Sequence, residues 1–319
     1  MGILVKGVWQ DSSYANRSGE FVRDESRFRN QVTADGSSGY PAAAQRYHLY
    51  VSFACPWAHR TLILRALKGL EDAITVSVVD PYMGYEGWNF STRKGGDSVN
   101  GAALLREIYL KAKPDYSGRV TVPVLWDRQT GTIVNNESAD IVRMLNTEFN
   151  AYAKRELHDL FPKALRPQIE HWNALIYRSV NNGVYRAGFA TAQEKYDAAV
   201  RELFATLDLL EEHLRGHRYL CGTVLTEADW RLFTTLVRFD AVYHGHFKCN
   251  LRRLVDYPHL WAYTRELYQF PGVADTVDLA QIKEHYYRSH HAINPSGIVP
   301  LGPVLDFSAP HGRGILPAH

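Results

Sequence analysis

At 319 residues, with Lys+Arg 36 against Asp+Glu 34 for a formal net charge of +2, the chain is long enough for two domains and too evenly charged for the basic face of a nucleic-acid binder. Its composition, 45% hydrophobic and 22% charged, is that of a globular protein. No apolar run reaches the ~20 residues that span a bilayer, and no secretory signal is expected at the N-terminus. Cys55, Cys221 and Cys249 are odd in number, widely spaced and without C-x-x-C spacing. That argues against a disulfide framework or a zinc knuckle and for a reducing, cytoplasmic setting. The 19 Tyr and 7 Trp exceed what a plain core requires and suit a site that stacks on a flat ligand.

Residues 1 to about 46 read as an irregular extension, dense in turn formers over Thr33 to Pro41 and pinned down by Trp9, Phe21 and Phe28. Tyr47 to Phe53 reads as a strand, Pro56 opens an apolar helix that Gly69 stops, and Ile74 to Val79 reads as a second strand. Strand, helix and strand form a βαβ unit with a right-handed crossover. Residues 81–118 read as a loop-rich insertion with a short helix near Ala102 to Lys111. A strand over Val120 to Trp126 contains Pro123, a strand follows at Gly131 to Val134, and a helix covers Glu137 to Leu145. This order is the thioredoxin pattern.

From about residue 160 the periodicity is helical. Tyr196, Val200, Leu203, Phe204, Leu207, Leu210 and Leu214 fall on one helix face, with Thr191 and Glu194 expected as its capping box. Thr226 and Asp229 predict a second capping box, with Leu225 packing on Trp230. Pro258 opens another helix, and a last one covers about Leu279 to Ser289. The Pro- and Gly-rich tail is expected to be non-helical. The histidines at 244, 246, 290 and 291 lack a carboxylate or thiol partner at ligand spacing, so no metal is expected and they read as surface residues.

Cys55 stands between the end of a strand and the start of a helix. The free amides and positive end of the dipole there favour a thiolate, the nucleophilic form. A lone Cys is more often a small buried hydrophobe, which is the reading for Cys221 and Cys249. Ala58 occupies the place of the second cysteine of a C-x-x-C motif. A mixed disulfide at Cys55 must therefore be resolved by an external thiol, in a reducing cytosol glutathione.

Several stretches now carry a resemblance. They are Tyr50-Val51-Ser52-Phe53-Ala54-Cys55-Pro56-Trp57-Ala58-His59-Arg60-Thr61, Val122-Pro123-Val124-Leu125-Trp126-Asp127, Asn135-Asn136-Glu137-Ser138 and Asn181-Asn182-Gly183-Val184-Tyr185-Arg186-Ala187-Gly188-Phe189-Ala190. Leu225-Thr226-Glu227-Ala228-Asp229, His285-Tyr286-Tyr287 and Ile293-Asn294-Pro295 complete them. The sequence resembles the glutathione transferases and, among them, the glutathionyl-hydroquinone reductases, or xi class. The resemblance implies an α/β plus all-α chain of glutathione-transferase fold, with an N-terminal thioredoxin-like domain and a C-terminal helical bundle. The expected division is an extension over 1–46 and a glutathione-binding domain over 47–150. An all-helical hydroquinone-binding domain over 160–290 and a tail over 291–319 follow.

The implied reaction is reductive deglutathionylation of a glutathionyl-hydroquinone through a Cys55–glutathione disulfide, with glutathione as co-substrate and no metal. A homodimer is implied as well, and neither nucleic acid nor membrane as partner. Val122, before a proline expected to be cis, offers its backbone to the cysteinyl part of glutathione. Ser138 and the local amides suit the γ-glutamyl carboxylate, Glu137 suits the ammonium, Arg119 the glycyl carboxylate, and Trp88 walls the peptide. Arg119 also reads as a solvated surface charge, and Ser138 as a plain helix cap. Tyr185, Tyr243 and Tyr287 are implied around the quinone ring, where a phenol stacks, hydrogen-bonds and donates a proton. Tyr286 should point elsewhere. Two other readings stay open: an omega-like thioltransferase or dehydroascorbate reductase, and a non-catalytic transferase-like binding module.

Overall fold

Strand β3 (Tyr47–Val51) has all five residues buried, as a strand covered on both faces requires. It stands in a computed structural model that describes residues 2–12, 19–21, 23–91 and 95–317. Before it in the chain come β1 (Gly2–Val5) and β2 (Val8–Asp11). After it, α1 (Pro56–Leu67) crosses to β4 (Ile74–Val78), which pairs parallel to β3 from Tyr47↔Ile74 to Val51↔Val78. Helix α2 (Leu105–Ala112) and β5 (Gly118–Arg119) follow. Then β6 (Val124–Asp127) and β7 (Thr132–Asn135) form an antiparallel pair that ends in α3 (Ser138–Thr147). The main sheet has the order β4-β3-β6-β7, with β3 and β6 antiparallel, and the Val122–Pro123 bond just before β6 is cis. This is the thioredoxin-like arrangement expected from the pattern.

The N-terminal extension is not irregular throughout. Its first residues form a hairpin, and a second sheet runs β2-β1-β5. Lys6 and Gly7 turn it with φ of 49° and 79°, the left-handed pair that a two-residue hairpin demands. Lysine at the first of these positions is an uncommon turn residue, so the sequence carried only half a signal. Further on, the amide of Asn30 donates to Val134 (3.0 Å) and that of Asn136 to Phe28 (3.0 Å), so the extension covers the open edge of β7. Arg46 locks onto Asp127 with two hydrogen bonds of 2.9 and 2.6 Å, both side chains buried.

The chain forms two compact units. One comprises the N-terminal strands with Arg23–His158 and Thr276–Ser289; the other comprises residues 19–21, Asp159–Asp275 and the chain from His290. In the first, contacts that help hold the late helix α9 (Leu279–Ser289) and the turn before it include the following. His59 Nε2 and Thr276 Oγ1 lie 2.8 Å apart, His285 Nδ1 donates to the Pro81 carbonyl (2.8 Å), and the Met83 amide donates to Ser289 Oγ (3.0 Å).

The second unit contains α4 (Arg166–Ile176), a π-helical turn over Tyr177–Asn181 and α5 (Gly183–Gly188). Then come α6 (Gln193–Gly216), α7 (Glu227–Leu236), a second π-helical turn over Phe239–Tyr243 and α8 (Pro258–Tyr268). The capping box of α7 is present: Asp229 Oδ2 accepts the Thr226 amide at 2.8 Å, so the short reach of aspartate suffices. That of α6 is not. Ala192 is the N-cap, without a side-chain bond, and the Thr191 amide donates to Gly19 instead (3.2 Å). The tail is largely non-helical. Phe307 packs against Trp261 and Tyr268, each at 5.1 Å between ring centres, and Arg313 is buried against the C-terminal end of α6.

Candidate active site

Chain geometry at the end of β3 places Cys55. The Cys55 amide donates to Ser52 (3.2 Å) and the Ala54 amide to Ser52 Oγ (3.2 Å), which turns the chain sharply. Cys55 is then the N-cap of α1 in extended conformation, with Pro56 as the first helical residue. Its side chain makes no cap bond to the helix amides, and its thiol is directed to the Val122 carbonyl at 3.5 Å. Cys55 is partly exposed, whereas Cys221 and Cys249 are buried. Burial pushes the Cys221 thiol up to about 11 and Cys249 higher still. Ala58, one turn into α1, is fully buried.

Several other residues predicted from the sequence lie in the same compact unit as Cys55. Glu137 caps α3: its Oε1 accepts the Ala139 amide (3.1 Å), while Oε2 accepts from Ser26 Oγ (3.0 Å). Ser138 is the first helical residue, buried, and receives a hydrogen bond from the buried Arg60 guanidinium (3.4 Å). Arg119 pairs with Asp24 (3.2 Å) and donates to Ser12 (3.4 Å), so it is not simply a solvated charge. Trp88 is buried, with its ring stacked on His285 at 4.8 Å and 19°. Tyr287 lies half-buried on α9 in this same unit, and Tyr286 beside it is fully buried, as the helical spacing required.

Sequence reading did not single out three neighbours of these residues. Arg23, from the extension, sits over the Trp57 ring at 3.7 Å, and Arg60 lies 5.9 Å from the same ring. His285 backs Trp88. A guanidinium inside the apolar run of α1 was the available signal for Arg60, and His285 stood in the quoted His285-Tyr286-Tyr287 stretch without a role; Arg23 had no signal, because its partner is distant in sequence.

Tyr185 and Tyr243 are brought together within the second unit, their ring centres 6.1 Å apart at 58°. Phe247 packs on both, at 5.4 and 5.7 Å, and Phe21 and Phe189 lie against Tyr185 at 5.8 and 6.2 Å. Gly188 permits this, because a Cβ there would run into the Phe247 ring. The cluster is nearly dry: Tyr185 is 9% exposed and Tyr243 0%.

His246 and His290 are not surface residues. Both are buried, with Nε2 of the first 3.1 Å from Nδ1 of the second. A separation of 44 residues hid the pair, and a neutral imidazole satisfies its neighbour by donating one N–H. Among the described residues no three His, Cys, Asp or Glu side chains gather as a metal would need. No helix among them is long and apolar enough to cross a membrane.

Comparison with known proteins identifies the family. Residues 54–148 match the glutathione S-transferase N-terminal domain and residues 193–266 the glutathione S-transferase C-terminal domain. The chain is 53% identical to glutathionyl-hydroquinone reductase YqjG of Escherichia coli over 99% of each chain. Among solved structures, a xi-class transferase from Natrialba magadii superposes with a TM-score of 0.93 at 50% identity, covering 100% of this chain and 98% of the other. The glutathione-bound structure of YqjG superposes with a TM-score of 0.91 at 51% identity, covering 98% and 99%. The chain therefore belongs to the glutathione transferase superfamily and, within it, to the xi class of glutathionyl-hydroquinone reductases.

Proposed function

We propose that this protein reductively removes glutathione from glutathionyl-hydroquinones, with Cys55 as nucleophile and glutathione as co-substrate. The observation that carries the reading is a partly exposed Cys55 at the N-cap of α1, followed by a buried alanine where a second thiol would stand. The amides and dipole of the helix start favour the thiolate. Arg23 and Arg60, around Trp57, add positive charge to the same stretch.

The thiolate attacks the glutathione sulfur. The carbon–sulfur bond breaks with its electron pair passing to the ring carbon, which takes a proton, and Cys55 is left as a glutathionyl disulfide. A second glutathione thiolate then attacks that disulfide, restoring Cys55 and releasing glutathione disulfide. Under this reading α3 and its residues Glu137 and Ser138 hold the γ-glutamyl group and the Val122 backbone pairs with the cysteinyl part. Arg119 exchanges Asp24 for the glycyl carboxylate, and Trp88 walls the peptide. The ring is assigned to Tyr185, Tyr243 and Tyr287. The relative named a glutathionyl-hydroquinone reductase supports the substrate, and the glutathione-bound neighbour supports the co-substrate. We place the enzyme in the cytoplasm and as a homodimer.

Intact-mass measurement after incubation with oxidised glutathione tests the chemistry. One glutathionyl adduct is expected, absent in Cys55→Ala; no adduct on the native chain refutes the mechanism. Turnover of a glutathionyl-hydroquinone should far exceed that of dehydroascorbate, and the reverse order refutes the substrate.

A further inference from the structure

Tyr185 and Tyr243 share an unusual approach: each lies beside a π-helical turn. The first turn, Tyr177–Asn181, closes with the Asn182 amide on the Tyr177 carbonyl (2.9 Å), and α5 begins directly after it. The second, Phe239–Tyr243, closes with the His244 amide on Phe239 (2.8 Å) and ends on Tyr243 itself. A π turn inserts one residue into a helix, which at 3.6 residues per turn rotates everything after it by about 100°. Such insertions are costly and cluster at functional sites. Here they set the directions of the two phenols, and something must fix the two turns in register.

Asn181 does this. It is 3% exposed and is the last residue of the first π turn. Its Nδ2 donates to Thr235 Oγ1 at 2.7 Å and to the Arg231 carbonyl at 3.0 Å, both on α7. Tyr185 follows Asn181 by one helical turn, and Tyr243 follows Thr235 by eight residues. The amide thus ties the helix that presents one phenol to the helix that leads to the other. The acceptors dictate the chemistry: a backbone carbonyl and a threonine oxygen call for an N–H donor, which a carboxylate of the same shape lacks.

We propose that Asn181 is a positioning residue for the hydroquinone step, clamping the two π turns so that Tyr185 and Tyr243 hold their 6.1 Å spacing. This rests on the reading that the phenols receive the ring. It predicts a defect confined to one half of the catalytic cycle. Cys55 and α3 belong to the other unit and need no help from Asn181 to exchange thiols.

The test compares Asn181→Asp and Thr235→Val with the native full-length enzyme in two assays, below each variant's measured melting temperature. One is turnover of a glutathionyl-hydroquinone; the other is the rate of glutathionyl adduct formation on Cys55 from oxidised glutathione. A small displacement of reacting groups costs up to about a hundredfold in rate. Asn181→Asp should therefore lose about tenfold to a hundredfold in kcat for the hydroquinone. Adduct formation should stay within about twofold, a split that general destabilisation does not produce. Thr235→Val keeps one of the two bonds and should show a smaller loss of the same kind. Equal losses in both assays, or no loss of turnover in folded Asn181→Asp or Thr235→Val, overturn the clamp. A native enzyme that forms the adduct but turns over no glutathionyl-hydroquinone overturns the substrate reading instead, and the clamp's role with it.

Discussion

Replacing Arg313 by alanine removes one guanidinium that serves four acceptors. In the structure it donates to Glu266 Oε2 (2.9 Å) and to the carbonyls of Leu214 (3.1 Å), His217 (2.9 Å) and Arg218 (2.7 Å). Arg313 and Glu266 side chains are 3% and 2% exposed, so the pair is dry and water does not replace the lost donors. Breaking one partner of such a pair costs about 3–5 kcal/mol. Glu266 keeps Arg218 at 2.6 Å and the Tyr219 hydroxyl at 3.2 Å, which holds the cost near the lower end, about 3 kcal/mol. For a unit of this size that lowers the melting temperature by about 6–12 °C. Arg313→Lys retains charge but not the fork, and should lose about half as much. Calorimetric melting of the three proteins measures both. A loss below about 1 kcal/mol in Arg313→Ala, or a lysine variant as unstable as the alanine one, would refute the reasoning.

Two further expectations concern titration. Native protein treated with iodoacetamide near neutral pH should take up one equivalent, at Cys55. Cys221 is pushed up to about 11 and Cys249 further by burial, so modification of either in the folded chain contradicts the assignment. Burial works to raise Asp127, but the hydrogen bonds from Arg46, Thr130 and the Gln129 amide outweigh it and hold the carboxyl below its ordinary 3.8. A carboxylate lowered in the folded state contributes stability above its unfolded value, and loses it as pH falls through the folded one. In urea melts the stability gap between native protein and Asp127→Asn should thus persist from pH 7 to 5 and shrink only below 3.8. A gap already closed at pH 5 would argue against the pairing.

What was legible in the sequence was local. Cys55-Pro56 announces a helix start because proline fixes the backbone of the first helical residue, and that holds whatever packs around it. Thr226 and Asp229 likewise find each other within one turn. The same logic failed at Thr191, whose amide was claimed by Gly19, far away in the chain. Long-range features were invisible for that reason: Arg23 over Trp57 and the buried His246–His290 pair. Helical periodicity in Leu279 to Ser289 gave the helix but not its allegiance, because an amphipathic face does not say which apolar surface it will meet.

That allegiance bears on how the two units can be separated. Helix α9 follows the helical unit in sequence yet packs with the thioredoxin-like one, through Thr276 on His59 and His285 on Pro81. Neither unit is a continuous piece of chain. Severing the polypeptide after His158 would deprive the sheet that leads to Cys55 of the helix that braces Trp88, and would leave α9 attached to the wrong fragment. A protein wired this way resists exchange of its halves with those of a relative by a single crossover. A chimera must carry three segments together, so the two units are bound to be inherited as one.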